Sequence, residues 1–302
     1  ESTFKVENHR SSGILNHLKY LVLDLFSSFR IRAFRLHIII YIFSFTAMDV
    51  FGSVFTYYVV YCLSQDAAAV SGWLSIAAFA SVPGTYGFML LLNRLNITPS
   101  AALRLSYSCI FLVLAFLFAI YLTKTQVPTL LFSAVFILLG AARSGLYYIP
   151  WNIYSFIPDI DEIVTQQRRE GIFAGVMVLT RKSTVAMAIM IIGLVLQEAG
   201  FVKGSGAQPE SALGAIIGLM IFATSALLAV SFFTTYKFKL TRETHKLLLK
   251  EIARRKLGGD YRDCDARTRV VIKQLTGYEY DQVWGGDATR RAVGNVGLSP
   301  AK

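Results

Sequence analysis

RLSYSCIFLVLAFLFAIYLT, residues 104–123, carries one charged side chain, Arg104, and that at its first position. A helix rises 1.5 Å per residue, so about 20 residues of this kind cross a hydrocarbon core of about 30 Å. The same reading recurs on both sides, at about 36–63, 73–93, 127–154, 171–198 and 212–235. Hydrophobic residues make up 54% of the 302 positions and charged residues 16%, which puts the whole chain, and not one segment of it, in the membrane class. The expected fold is an all-α membrane protein, a bundle of six transmembrane helices over 36–236.

The charges left over sort by loop. Residues 1–35 form a basic segment with Lys5, Arg10, Lys19, Arg30, Arg32 and Arg35; the second loop has Arg94 and Arg104; the fourth has Arg168 and Arg169. Loops of the other parity offer Lys124 and Lys203. The positive-inside rule then predicts a multi-pass membrane protein with both termini cytoplasmic. Residues 237–302 read as a basic cytoplasmic tail. Leu240–Leu257 is predicted as an amphipathic helix, with Leu248, Leu249 and Ile252 set against Lys and Arg, either lying on anionic lipid head groups or simply fixing topology. A shorter helix follows near Ala266–Leu275, then Tyr278, Tyr280 and Trp284, and a Gly/Ala/Ser-rich end expected to be disordered. The chain begins at Glu1 without a signal peptide, which reads as a fragment or a processed product.

Several function classes drop out. Cys62, Cys109 and Cys264 are odd in number and irregularly spaced, so no disulfide framework is predicted. His9, His17, His37 and His245 lack ligand spacing, so no metal site is expected. No phosphate-cradling GxxxxGK[ST] occurs, and no Ser/His or paired-carboxylate constellation falls on one face, which argues against an ATP-driven pump and an enzyme, and no catalytic residue is assigned. No nucleic-acid partner is expected.

Inside the spans, charge is costly, about 2.5–3.5 kcal/mol per residue at mid-depth, so it marks helices around a polar interior. Asp49 lies in the first span, with Thr46, Ser53, Thr56 and Tyr57 near its face. Arg143, Tyr147, Trp151 and Tyr154 make a stripe on the fourth span, with Asn152 beside it. Such a stripe serves either helix packing or the stacking of sugar rings, with flanking hydroxyls and Asn152 orienting ring hydroxyls. Arg181 and Lys182 sit side by side on the fifth span, about 100° apart, so one is expected to face the centre. An ion pair to Asp49, structural or broken during a transport cycle, is the natural use of that charge. Asp49, Ser53, Tyr57, Arg143, Tyr147, Trp151, Asn152, Arg181 and Lys182 are therefore the candidate substrate-binding residues. Asp159, Asp161, Glu162, Arg168, Arg169 and Glu170 crowd the fourth loop, either as a gate whose salt bridges form in one state or as a solvated charge run. Two glycine features are read structurally: Pro83-Gly84 as a kink, and Gly214-Ala-Ile-Ile-Gly218 as a close helix contact.

Pro150-Trp-Asn-Ile-Tyr154, Ile157-Pro-Asp-Ile-Asp-Glu162, Gln167-Arg-Arg-Glu-Gly171 and Arg181-Lys182 together resemble the glycoside-pentoside-hexuronide:cation symporters, the melibiose permease-like branch of the major facilitator superfamily. The resemblance extends over nearly the whole chain as the C-terminal half of that fold. It implies cation-coupled (Na⁺ or H⁺) symport of a sugar, glycoside or hexuronide by alternating access, with no further cofactor. The implied partners are the substrate, membrane lipid and an N-terminal six-helix half that would hold the coupling-cation site. By the resemblance, Lys182 matches the family's functionally important lysine, and Trp151 with its neighbours lies on a helix close to the sugar path. Phe156 and Arg143 depart from the family pattern, and an extra central cation favours an acidic sugar. A lipid or lysolipid carrier on the same fold and a non-transporting six-helix scaffold are the other readings.

Overall fold

The structure, a computed structural model, describes residues 27–124 and 127–284. The main elements are α1 (Arg32–Tyr57), α2 (Ala67–Asn93), α3 (Pro99–Thr123), α4 (Thr129–Tyr154), α5 (Ile157–Thr165), α6 (Glu170–Glu198), α7 (Glu210–Ile217), α8 (Thr224–Lys237), α9 (Arg242–Lys256) and α10 (Ala266–Thr276). No strand occurs among the described residues. Six helical segments are long and apolar enough to cross a membrane: Arg32–Cys62, Ala68–Asn93, Pro99–Thr123, Thr129–Thr165, Glu170–Glu198 and Glu210–Lys237. The chain is an all-α, multi-pass membrane protein. Lys5, Arg10, Lys19 and the end of the tail beyond Trp284 lie outside the described residues.

Local chemistry sets the helix ends. Thr98 accepts the Ala101 N–H at 3.3 Å, and Pro99, with no N–H to leave unpaired, takes the first turn of α3. Asp265 caps α10 through the Thr268 N–H at 3.0 Å, and Gly277, at φ +86°, closes it in the left-handed region that glycine adopts without penalty. Two spans widen into a single π turn, at Tyr58–Cys62 and at Gly218–Ala223.

The described chain forms two compact units. The larger comprises residues 35–157 and 177–247. In it α2 packs along α4 so closely that a Cβ on Gly140 would stand 2.0 Å from the Ala77 carbonyl oxygen, and one on Gly84 would stand 2.6 Å from Ala141 Cα. The helical assignment of α2 continues through Pro83, and Gly84 serves this close approach. Gly214 and Gly218, by contrast, have nothing within 4 Å of where a Cβ would stand, so the expected small-residue contact is not made among the described residues. Tyr58, Phe51, Phe55, Tyr107 and Phe136 fill the core. Tyr107 shares a buried hydrogen bond with Ser44 at 2.8 Å, and Ser44 donates to Ser231 at 3.2 Å, which ties α3, α1 and α8 together.

The smaller unit comprises, of the described residues, 27–34, 158–176 and 248–284; in it Phe29, Phe34 and Phe173 stack edge to face and the tail packs by its apolar side. Leu248, Ile252, Ile272 and Leu275 are buried, and the Trp284 N–H donates to the Ile163 carbonyl at 3.1 Å.

Candidate functional site

α1, α4 and α6 bring the mid-span charges of the larger unit together. Arg181 on α6 makes a bidentate pair with Asp49 on α1, Nη1 to Oδ2 at 2.5 Å and Nη2 to Oδ1 at 2.8 Å, and both side chains stay about one-fifth exposed, 20% and 22%. Two parallel charge-assisted bonds fix orientation as well as charge. The guanidinium also lies over the Phe45 ring, 5.3 Å from its centroid.

From Phe45 an aromatic ladder crosses to α4. Phe45 meets Tyr147 edge to face at 4.7 Å, and Arg143 donates to the Tyr147 hydroxyl at 3.0 Å with its guanidinium 5.2 Å from that ring. Phe45 also contacts Tyr41 at 4.5 Å; Tyr41 meets Trp151 at 5.9 Å, and Trp151 meets Tyr154 at 5.8 Å. Trp151 keeps 46% of its surface exposed, so a large apolar face remains open next to hydrogen-bonding groups. Asp49, Arg143, Tyr147, Trp151 and Arg181 therefore belong to one connected cluster.

The remaining candidates are placed differently. Ser53 is exposed one turn along α1 from Asp49, Tyr57 is half-buried and stacks with Tyr61 and Phe201, and Asn152 is half-buried beside Trp151. Lys182 is exposed and has no ion-pair partner among the described residues, so of the two adjacent cations Arg181 takes the carboxylate. Arg143 likewise has no carboxylate partner among the described residues. The cluster thus holds one anion, Asp49, against two cations, Arg143 and Arg181, while Lys182 lies next to Arg181 in the chain without a contact to the cluster among the described residues. Tyr41 and Phe45 join the ladder unannounced by the sequence; their only signal is i, i+4, i+8 spacing ahead of Asp49, and aromatics are common in any apolar span. A cavity of about 990 Å³ lies at the other ends of the spans, lined by Tyr61, Trp73, Lys124, Phe132 and Glu210 among others, and none of the candidate residues lines it.

The loop cluster belongs to the smaller unit. Arg169 holds Asp161 bidentately, Nε to Oδ2 at 2.8 Å and Nη2 to Oδ1 at 2.7 Å, and donates to Ser27 at 3.0 Å. Asp161 is completely buried and also accepts from Thr165 at 3.3 Å. Arg168 lies 3.5 Å from Asp159 and 2.5 Å from Glu170, and the Asp159 charge raises its pKa above the ordinary value. Glu162, buried but for 10% of its side chain, pairs with Lys256 of the tail at 2.5 Å. Asp159, Asp161 and Glu162 are packed groups, whereas Arg168 and Glu170 are more than half exposed, so the solvated-run reading fits only the latter pair. Further along the tail Glu251 accepts from Arg254 at 2.8 and 2.9 Å and from the Tyr280 hydroxyl. Burial alone would raise the Glu251 pKa, but those hydrogen bonds and the Arg254 charge hold it below the ordinary carboxylate value.

Residues 21–242 match the sequence family described as MFS/sugar transport protein. The chain belongs to that family. The matched stretch takes in every candidate residue on α1, α4 and α6 and the whole loop cluster. The chain is also similar to an uncharacterized symporter of Synechocystis sp. (strain ATCC 27184 / PCC 6803 / Kazusa), 31% identical over 222 residues. That similarity covers 70% of this chain and 39% of the relative, so the matched stretch spans about two-fifths of that protein's length. Membership agrees with the fold and with the sugar-transport expectation drawn from the 150–182 block.

Proposed function

We propose that this chain acts as the C-terminal half of a cation-coupled secondary transporter, moving a sugar, glycoside or hexuronide with Na⁺ or H⁺ by alternating access. The observation that carries the proposal is the mid-span cluster of α1, α4 and α6: a paired Asp49–Arg181, a further cation at Arg143, and the open face of Trp151 on an aromatic ladder. Charge at that depth is retained where it faces a polar path, and an exposed indole suits the apolar face of a sugar ring. Family membership supports the same reading, and so does the symporter relative. The excess of cations favours an acidic sugar, whose carboxylate Arg143 would bind with two parallel bonds.

In this reading the partner is an N-terminal six-helix half that carries the coupling-cation site, and both termini face the cytoplasm of a plasma (inner) membrane. Breaking and remaking Asp49–Arg181 as substrate binds would couple occupancy to helix position, because binding energy shifts an equilibrium only through contacts that differ between states. The Asp161–Arg169 and Asp159–Arg168 pairs would hold one of those states closed on the cytoplasmic side. No step of this proposal requires a catalytic residue.

Uptake of radiolabelled glycosides and hexuronides into vesicles containing the full-length protein, with and without a Na⁺ or H⁺ gradient, tests the proposal. Gradient-driven accumulation that disappears in Asp49→Asn and Lys182→Ala, at normal insertion levels, is the expected result. Accumulation of no sugar under any gradient overturns the substrate class, and normal transport by both variants overturns the site.

A further inference from the structure

At one end of the larger unit, three spans finish in a patch of cations that the transport reading does not use. Arg94 follows the last residue of α2, Arg104 stands in the second turn of α3, Lys237 ends α8, and Lys239 and Arg242 follow it. Tertiary contacts gather them. Arg104 donates to Thr235 at 3.5 Å and lies 4.7 Å from the centroid of the Tyr236 ring; Ser100 donates to the Phe238 carbonyl at 3.0 Å; Arg242 donates to the Asn93 side chain next to Arg94. Phe238 is buried between Lys237 and Lys239, which leaves both lysines exposed. Among the described residues no carboxylate pairs with any of these five cations.

The patch continues into the apolar zone. Arg104, Ser108 and Phe111 lie at i, i+4 and i+7 on α3, and Phe232 on α8 meets Phe111 at 6.3 Å and Tyr236 at 5.6 Å. Phe233, adjacent on α8, is 67% exposed and Tyr236 is 53% exposed. Cations therefore sit where two spans reach the interface, a tyrosine lies at head-group level, and aromatic surface runs below it into the depth of the acyl chains. A free inorganic anion has no use for that apolar continuation, whereas a lipid uses both parts.

We infer that this seam between α3 and α8 is a binding site for a phospholipid with a net-negative head group. Arg104, Lys237 and Lys239 take the phosphate and its head group, Tyr236 packs beside them, and Phe111, Phe232 and Phe233 receive the chain. The inference rests on the membrane-spanning assignment alone, and it stands whichever substrate is carried.

Native mass spectrometry of the full-length protein, released from micelles supplied with phosphatidylglycerol or phosphatidylcholine, reads the site directly. Retained phosphatidylglycerol is expected to exceed retained phosphatidylcholine, and to fall roughly five-fold for each cation removed in Arg104→Gln, Lys237→Gln and Lys239→Gln. Lys124→Gln with Lys203→Gln, on loops of the other parity, should leave retention unchanged. Lys237→Gln with Lys239→Gln, which alters exposed side chains only, keeps the test available if Arg104→Gln fails to insert. Equal retention of both lipids, or undiminished phosphatidylglycerol retention in the variants, overturns the site. Inorganic phosphate at matched concentration should not displace the lipid; full displacement would overturn the lipid assignment in favour of a simple anion site.

Discussion

Two arginine–carboxylate pairs with almost the same geometry occupy different surroundings. Asp161–Arg169 is buried, 0% and 12% exposed, and is completed by Thr165 and Ser27. Asp49–Arg181 is 22% and 20% exposed, joins two membrane spans, and has Arg143 in the same cluster with no carboxylate of its own among the described residues. The first satisfies its partners and locks its unit in this state. The second leaves positive charge uncompensated and both partners within reach of a ligand. The same bidentate arrangement thus means different things, and the difference lies in how many other groups each charge has to satisfy.

Removing one partner of the locked pair should do the most damage. Asp161→Asn leaves Arg169 nearly buried without its carboxylate, at an expected cost of about 3–5 kcal/mol, read as a large fall in the thermal midpoint of the purified protein. A midpoint within a degree or two of wild type would erase the distinction between the pairs. Glu251→Gln, in the same unit, should cost about 1–2 kcal/mol at pH 7, seen as faster hydrogen exchange over 248–280. Its pH dependence has a definite sign. The folded pKa of Glu251 is lowered, so its contribution is full above the ordinary value of 4.5 and is lost as pH falls through the lower folded value. Wild type and variant should therefore converge only once the pH has fallen below that lowered folded value, and a gap that stays constant with pH would show that the charge is irrelevant.

Asp49→Asn should lower the thermal midpoint less than Asp161→Asn does, by about 1 kcal/mol, because its partner remains partly solvated. Its effect on gradient-driven uptake should nevertheless be complete. The exchanged variant Asp49→Arg with Arg181→Asp should recover the midpoint without recovering uptake, and recovery of both would make the pair purely structural. Lys273→Gln should change stability by less than about 1 kcal/mol, since that lysine and its partner Glu279 are 59% and 56% exposed, and Lys273→Glu with Glu279→Lys should restore what is lost.

Much of this was legible in the sequence because charge inside an apolar run stands out. Asp49, Arg143 and Arg181 announce themselves that way, and the six spans follow from length and hydropathy. The sequence leaves open which of Arg181 and Lys182 meets Asp49, since 100° of helix rotation separates two outcomes that only the placement of α6 relative to α1 decides. Tyr41 and Phe45 are hidden for the opposite reason: an aromatic in a membrane span is unremarkable until its neighbours are known. The docking of Lys256 on Glu162 and of Trp284 on Ile163 joins residues more than ninety positions apart, which local periodicity cannot encode. Gly84 and Gly140 mark close helix contact, whereas Gly214 and Gly218, at equally suitable small-residue spacing, make none among the described residues, so the spacing by itself does not choose the contact.

The central claim is that the polar face of α1 beside Asp49 lines a water-filled path and does not face lipid. In a variant whose Cys62, Cys109 and Cys264 are replaced by Ser, Ser53→Cys should react with a membrane-impermeant charged thiosulfonate, while Phe79→Cys, at an exposed apolar position of α2, should not. Labelling of Ser53→Cys as slow as that of Phe79→Cys would place α1 against hydrocarbon and contradict the account.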